Sequence, residues 1–133
     1  MENPELQNLV INNTEDAFQV ELNAKTHIFS IYGRRLPENS FIFFAPIFEW
    51  LESYFLLKPT QTTINISLSY IHSGANKALL QLLSELKKSK KNGNTIIVNW
   101  NFEEDDEDME QIGIDFAEML EMEFNFATFE LKN

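Results

Sequence analysis

The amino-acid sequence predicts a single α/β domain, residues 1–133, with a mixed sheet of about five to six strands and about three helices. Two features of the pattern carry that expectation. Through the last two-thirds of the chain, segments of period two alternate with segments of period 3.6, and such alternation is accommodated by helical crossovers between parallel strands. In the first third, short apolar runs are joined by polar turns, the pattern of an antiparallel meander or hairpin. A length of 133 residues fits one domain, and an apolar fraction of 44% with twelve Phe supplies its core.

Leu6 to Asn12 and Phe18 to Leu22 have the composition of short strands, and His27 to Tyr32 alternates so as to pair with the second across Asn23-Ala24-Lys25. Gly33 and then Leu36-Pro37-Glu38-Asn39-Ser40 mark a break. Phe41 to Leu57 is dense in aromatics and has helical spacing at Ile47, Trp50, Leu51, Tyr54 and Phe55. Pro46 removes a backbone donor and crowds the preceding turn, so this segment is either a kinked helix or a turn followed by a helix restarting near Pro46. Thr62 to Ile71 sets Ile64, Ile66, Leu68 and Tyr70 against Asn65, Ser67 and Ser69, a half-buried strand with one wet or polar-paired face. Leu79, Leu82, Leu83 and Leu86 then define an amphipathic helix from Ser73 to Lys91, stopping at Asn92-Gly93. Thr95 to Phe102 is β-rich. Met109, Ile112, Phe116 and Leu120 make a third helix, and Phe124 to Leu131 a closing strand.

Composition removes several functions. The formal net charge is −11, and residues 103 to 123 carry eleven of the 21 acids with no Lys or Arg, which speaks against nucleic acid as a partner. Lys87, Lys88, Lys90 and Lys91 sit where the second helix should end, and there they complement its negative pole as a solvated turn. With no cysteine, disulfides, thiolate catalysis and cysteine-ligated metals are excluded. No run approaches 18 apolar residues, and Met1-Glu2-Asn3-Pro4-Glu5 lacks the features of a signal peptide, so a soluble, cytoplasmic chain without membrane insertion is expected. Four glycines provide no GxGxxG and no P-loop, and no cofactor is expected.

The densest local signal is Tyr70-Ile71-His72-Ser73-Gly74-Ala75-Asn76-Lys77, which puts a hydroxyl where a strand gives way to a helix. A helix N-terminus has unpaired N–H groups and the positive end of the macrodipole, so Ser73 either caps the helix or carries a phosphate favourably. His72 and Ser73 are neighbours in sequence, which on an extended segment puts them on opposite faces, and no GxSxG elbow is present. Neither His27 nor His72 belongs to a metal-ligand spacing such as HExxH. The run Glu103-Glu104-Asp105-Asp106-Glu107-Asp108 has Asp108 where an EF-hand needs its glycine, so it reads as the cap of the third helix, by Asp105 or Asp106, with the other acids favouring the positive helix end. A basic partner surface or a few cations would also meet these carboxylates. Trp50, Tyr54 and the Phe41-Phe43-Phe44 cluster suit core packing, but Phe41 to Phe44 is too continuous for one buried stripe, so part of it should lie on a second contact surface. Besides a regulatory binding protein, these features leave two readings: a small acidic enzyme or metal-dependent binder using His72, Ser73 and the acidic run, or an assembly module using the aromatic surface.

Four segments resemble a known family: Gly33-Arg34-Arg35-Leu36-Pro37-Glu38-Asn39; Pro46 through Trp50-Leu51 to Tyr54; Tyr70 to Lys77 leading into Leu79-Leu80; and Val98-Asn99-Trp100 through Glu104-Asp105-Asp106-Glu107-Asp108-Met109 to Gly113 and Phe116-Ala117. The chain resembles the SiaC family of bacterial regulatory phosphoproteins, small domains similar in fold to the STAS-type anti-sigma-factor antagonists. The resemblance implies a non-enzymatic switch protein, phosphorylated by a cognate Ser/Thr kinase and dephosphorylated by a PP2C-type phosphatase. It also implies partner switching, with a diguanylate cyclase or similar effector bound in one state only, and the physical reading below assigns binding to the unphosphorylated state. The family phosphoacceptor is a threonine in a tract resembling Tyr-Phe-Asn-Thr-Ser-Ser-Ser-Lys, and ungapped alignment puts it on Ser73. Here Ile71, His72, Gly74, Ala75 and Asn76 replace the Asn and hydroxyl residues of that tract, leaving a single hydroxyl. The residues around it, Tyr70, His72, Gly74, Asn76 and Lys77, together with Glu104, Asp105, Asp106 and Asp108, are the expected partner-binding surface. A phosphate on Ser73 adds about −1.5 to −2 charge at a helix start that tolerates it, so its cost is expected in a complex and not in the fold.

Overall fold

The computed structural model describes residues 6–13, 18–35, 40–71 and 73–130. Its elements are β1 (Leu9–Asn13), β2 (Phe18–Asn23), β3 (Ile28–Arg35), α1 (Ser40–Leu56), β4 (Gln61–Tyr70), α2 (Ser73–Ser89), a 3-10 turn (Lys90–Asn92), β5 (Thr95–Glu103), α3 (Glu107–Leu120) and β6 (Phe124–Phe129). They form one six-stranded mixed sheet in the order β1-β2-β3-β4-β5-β6. β1, β2 and β3 pair antiparallel as the expected meander, and β3 through β6 pair parallel. The antiparallel register, Val20 opposite Ile31 and Leu22 opposite Phe29, brings buried residues of β2 and β3 to one face.

Three helical crossovers step across the sheet in the same direction. Right-handed crossovers that all step one way put every helix on the same face, so the domain has two layers. β4 records this residue by residue, with Ile64, Ile66 and Leu68 fully buried and Asn65, Ser67 and Ser69 only half-buried. Against the buried face pack Phe44, Ile47, Leu51 and Tyr54 of α1, Ala78, Leu79, Leu82, Leu83 and Leu86 of α2, and Phe116 of α3. The opposite face is paired through polar side chains. Asn125 donates to Asn99 at 3.0 Å, Asn99 to Asn65 at 2.7 Å and Asn101 to Ser67 at 3.0 Å, while Tyr32 donates to Gln19. The polar positions of the β4 alternation are thus a cross-strand ladder.

One boundary differs from the sequence expectation, and one alternative left open there is decided. β3 does not break at Gly33 but continues to Arg35, with Gly33 at a φ of 143° paired with Leu68 of β4. That φ belongs to the region glycine tolerates, so the residue that looked like a terminator lets the strand continue through a distorted step. Of the two forms open for α1, a single helix holds and a restart at Pro46 does not: it starts at Ser40 and runs 17 residues through Pro46. An interior proline costs roughly 3 kcal/mol, and burying Phe44, Ile47, Leu51 and Tyr54 on either side outweighs it. The Phe41–Phe44 run divides as its continuity requires: Phe44 is buried, Phe43 is half-buried edge-on against Phe18 at 4.8 Å, and Phe41 is exposed. The end of α2 follows its signals, with Gly93 left-handed at φ 89° and donating to the carbonyl of Lys90. Lys90 and Lys91 lie exposed beyond it, and Lys88 reaches Glu85 at 3.2 Å in a surface pair that adds little.

At the edge where the parallel strands begin, a chain of polar groups runs into the core. His27 Nδ1 lies 2.8 Å from the Tyr54 hydroxyl, which lies 2.7 Å from Thr62 Oγ1. Asn94 Nδ2 donates to Thr62 Oγ1 and to Ser89 Oγ, each at 3.0 Å, and Ser89 Oγ donates to the Leu86 carbonyl at 2.6 Å. Thr62, Ser89 and Asn94 are buried, so this network ties the end of α2 to the starts of β4 and β5. Near the other end of β5, Trp100 is fully buried, donates from Nε1 to the Met109 carbonyl at 2.9 Å, and lies against Gly113 of α3.

Candidate functional site

Because β3, β4 and β5 run the same way and each leads into a helix, their C-terminal ends and the N-termini of α1, α2 and α3 gather at one edge of the sheet. In open α/β sheets this is the edge at which ligands are held. The register places elements distant in sequence side by side. Arg35 pairs with Tyr70 across β3 and β4. β4 and β5 pair from Gln61 with Thr95 to Ser67 with Asn101. The start of α2 at Ser73 and the acidic run that leads into α3 therefore follow adjoining strands and lie at the same edge of the sheet.

α2 begins at Ser73. His72 lies outside the described residues. The first turn, Ser73-Gly74-Ala75-Asn76, contains no acid. α3 is the opposite case: Asp106 accepts from the Met109 N–H at 3.1 Å, and Glu107, Asp108 and Glu110 crowd its first turn. Of the two alternatives in the sequence, Asp106 is the cap, and Asp105 instead takes a left-handed φ of 71° in the turn before it. The two neighbouring helix starts thus differ electrostatically, α3 compensated by its own carboxylates and α2 left without one. Asp106→Ala is expected to cost about 1 kcal/mol of stability, read as a lower urea midpoint with unchanged slope.

The remaining expected site residues divide between surface and structure. Tyr70 closes β4 half-exposed, Lys77 is exposed one turn into α2, and Glu104, Asp105 and Asp108 are exposed, whereas Asp106 is half-buried by its capping role. Asn76 Oδ1 and Ser69 Oγ are enclosed with no hydrogen-bond partner among the described residues, one on each side of Ser73 in the chain. Arg34 and Arg35 end β3 on the same edge, Arg34 exposed, and were not among the expected site residues; the Gly-Arg-Arg element was the signal that contained them. His27, by contrast, sits at the opposite edge, bonded to Tyr54, and does not join the acidic run. Among the described residues no group of three or more His, Asp or Glu is arranged to hold a metal, and no helix is long and apolar enough to cross a membrane.

This fold recurs in solved structures from Pseudomonas aeruginosa. The chain superimposes on a chain of the crystal structure of the diguanylate cyclase SiaD in complex with its activator SiaC with a TM-score of 0.82 and 20% identity, over 91% of this chain and 99% of that one. It superimposes on apo-SiaC with a TM-score of 0.76 and 19% identity, over 92% and 98% of the two chains. An uncharacterized protein of Pseudomonas aeruginosa strain UCBPP-PA14 is 24% identical over 98 residues, 74% of this chain and 76% of that protein. The profile of the SiaC family regulatory phosphoproteins matches residues 11–129, from within β1 to the end of β6. The chain therefore belongs to the SiaC family of regulatory phosphoproteins.

Proposed function

We propose that this chain is a non-enzymatic, cytoplasmic partner-switching protein, reversibly phosphorylated on Ser73, that binds a diguanylate cyclase when unphosphorylated. A Ser/Thr protein kinase adds the phosphate and a PP2C-type phosphatase removes it. Ser73 opens a helix whose first turn has no carboxylate, and this is the observation that carries the reading. A phosphate there gains the positive helix end and unpaired N–H groups, and the flanking Gly74 adds no side chain to hinder a kinase. Arg34, exposed on the same sheet edge, supplies positive charge nearby, while Glu104, Asp105 and Asp108 give the surface its acidic half. The similarity to a structure of a cyclase bound to its activator supports the choice of effector.

The unmodified edge presents Tyr70, Lys77 and the acidic turn to the effector. A phosphate on Ser73 adds bulk and about two negative charges that must be desolvated on docking, so it weakens the complex while the fold tolerates it. Ser73→Asp is accordingly expected to reduce affinity for the cyclase by about tenfold or more with a shift in Tm of only about 1–2 °C, whereas Ser73→Ala binds like wild type. Isothermal titration against the purified cyclase, paired with mass spectrometry of the protein from its native cell with phosphatases inhibited, tests both halves. Undiminished binding by Ser73→Asp and by the stoichiometrically phosphorylated protein removes the switch, and a Ser73 that stays unmodified under all growth conditions removes the phosphosite.

A further inference from the structure

β6 closes one side of the sheet, and among the described residues no strand pairs with its outer edge. The Phe129 carbonyl accepts from the Glu104 N–H at 3.3 Å and so points inward, toward β5. In a strand the N–H and C=O of one residue point to the same side, and alternate residues point to opposite sides. Asn125, Ala127 and Phe129 therefore turn their backbone groups to β5, whereas Phe124, Phe126 and Thr128 turn theirs to the free edge. Phe126 and Thr128 are exposed, so these donors and acceptors stand open to a partner.

Edges of this kind are ordinarily blunted by a charge on the strand, a proline, a bulge or a covering segment. β6, Phe124-Asn125-Phe126-Ala127-Thr128-Phe129, has no charged residue and no proline, and its register with β5 is unbroken from Phe124 to Phe129. The nearest charges in the chain, Glu123 and Glu130, stand just outside it. The side chains offer an added strand two different rows. On the helix-covered face Phe126, level with the buried Trp100, is 40% exposed. On the open face the amide ladder ends at β6, with Asn99 donating to Asn65 and Asn125 donating to Asn99, each toward the centre of the sheet. That direction leaves Asn125 Oδ1 as an acceptor on the free side.

A row of backbone donors and acceptors at strand spacing is matched by another extended chain. A second copy joined β6 to β6 about a twofold axis would set two α3 helices on the same face of the joined sheet, since α3 packs over β5 and β6. α3 has Glu107, Asp108, Glu110, Asp115 and Glu118 and no Lys or Arg, so charge favours a different protein over a second copy.

We infer that the free edge of β6 takes up an extended segment of a partner protein as a seventh strand, with an amide or hydroxyl residue level with Asn125 and an apolar residue level with Phe126. Main-chain bonds to Phe124, Phe126 and Thr128 hold such a segment, and the two side-chain rows select it. A Lys or Arg at its ends would meet Glu123 or Glu130. The inference does not rest on phosphorylation of Ser73.

The probe is a synthetic peptide of about nine residues in which Val and Asn alternate, with Lys at each end, added to the ¹⁵N-labelled full chain and followed by amide hydrogen exchange. Exchange at the Phe126 and Thr128 amides is expected to slow by about tenfold or more at saturating peptide, while the Asn125, Ala127 and Phe129 amides, which already face β5, change less. The same peptide with its internal backbone nitrogens methylated keeps its charge and side chains but loses its donors, and is expected to bind at least about tenfold more weakly. Thr128→Pro removes an outward N–H and no bond to β5, so it is expected to fold, as a thermal melt checks, and to lose about tenfold in peptide affinity. Phe126→Lys puts a charge on the exposed edge and is expected to do the same. Unchanged exchange at Phe126 and Thr128, equal affinity for the methylated peptide, or wild-type affinity in both variants overturns the proposal. Perturbation confined to the Glu103–Asp108 turn would show charge attraction alone and overturn it. Protection of the Phe126 and Thr128 amides that grows with protein concentration, with no peptide present, would assign the edge to a second copy and overturn it as well.

Discussion

Alanine in place of Gly113 is expected to destabilise the fold by about 2 kcal/mol and lower Tm by roughly 6–10 °C, although alanine is the better helix former. A Cβ built on Gly113 would lie 2.6 Å from both Cδ1 and Nε1 of Trp100 and 2.8 Å from Cε2, distances that force a shift. The ring cannot yield easily. It is fully buried, packs edge-on against Phe116 at 5.7 Å and stacks on Phe124 at 6.2 Å, and its Nε1 is bonded to the Met109 carbonyl. Helix propensity returns only about 1 kcal/mol, less than the overpacking removes. Urea denaturation of Gly113→Ala, Trp100→Phe and the double variant measures the coupling, and the smaller ring is expected to recover part of the loss caused by the alanine. A single Gly113→Ala variant as stable as wild type would mean that α3 can slide off Trp100 without cost.

Removing the Tyr54 hydroxyl is the second large effect. Tyr54→Phe deprives Thr62 Oγ1 of one partner and His27 Nδ1 of its own, and a loss of about 2 kcal/mol is expected near neutral pH. The same group predicts a pH dependence. Burial pushes the Tyr54 phenol above its ordinary value of 10.0, and the hydrogen bond with Thr62 only partly opposes this. Below about pH 10 the phenol is neutral in both folded and unfolded chains, so its contribution to stability is fully present. As pH rises further the unfolded chain ionises first, and that contribution is lost on the way up through the folded-state value. Urea midpoints between pH 8 and about 11.5 should fall more steeply for wild type than for Tyr54→Phe. Parallel curves would mean that this phenol ionises alike in the two states.

The elements that fix the architecture were legible where one periodicity dominates. Ile64-Ile66-Leu68 against Asn65-Ser67-Ser69 announced a two-faced strand, and Leu79-Leu82-Leu83-Leu86 announced α2, because burial of one face imposes a repeat. The cap of α3 was legible to within one residue, since either Asp105 or Asp106 offers the carboxylate and only backbone geometry selects Asp106. Gly33 misled because it was weighed as a local breaker, whereas strand pairing decided the outcome; at Pro46 two forms were open, and packing on both sides selected the single helix. The His27–Tyr54–Thr62–Asn94–Ser89 chain and the fit of Gly113 to Trp100 leave no repeat or spacing in the sequence; they exist only once the strands are laid side by side. Of the candidate site, the Ser73 segment and the acidic turn were each visible, but that they share one sheet edge follows from the parallel strand order, and the pairing of Arg35 with Tyr70 from the β3–β4 register.

Strand order identical to chain order has a kinetic consequence. Each strand pairs with the one made just before it, so the β-sheet requires no segment to wait for a distant partner and no loop longer than one crossover to be closed at any step. During synthesis the β1–β2 ribbon can template β3, and each later strand–helix unit arrives at an edge already in place. Folding by this route is a process of accretion, with the growing margin moving from β3 to β6 as the chain emerges. Circular permutants that separate β3 from β4 in sequence are expected to fold more slowly than the natural order while reaching the same sheet.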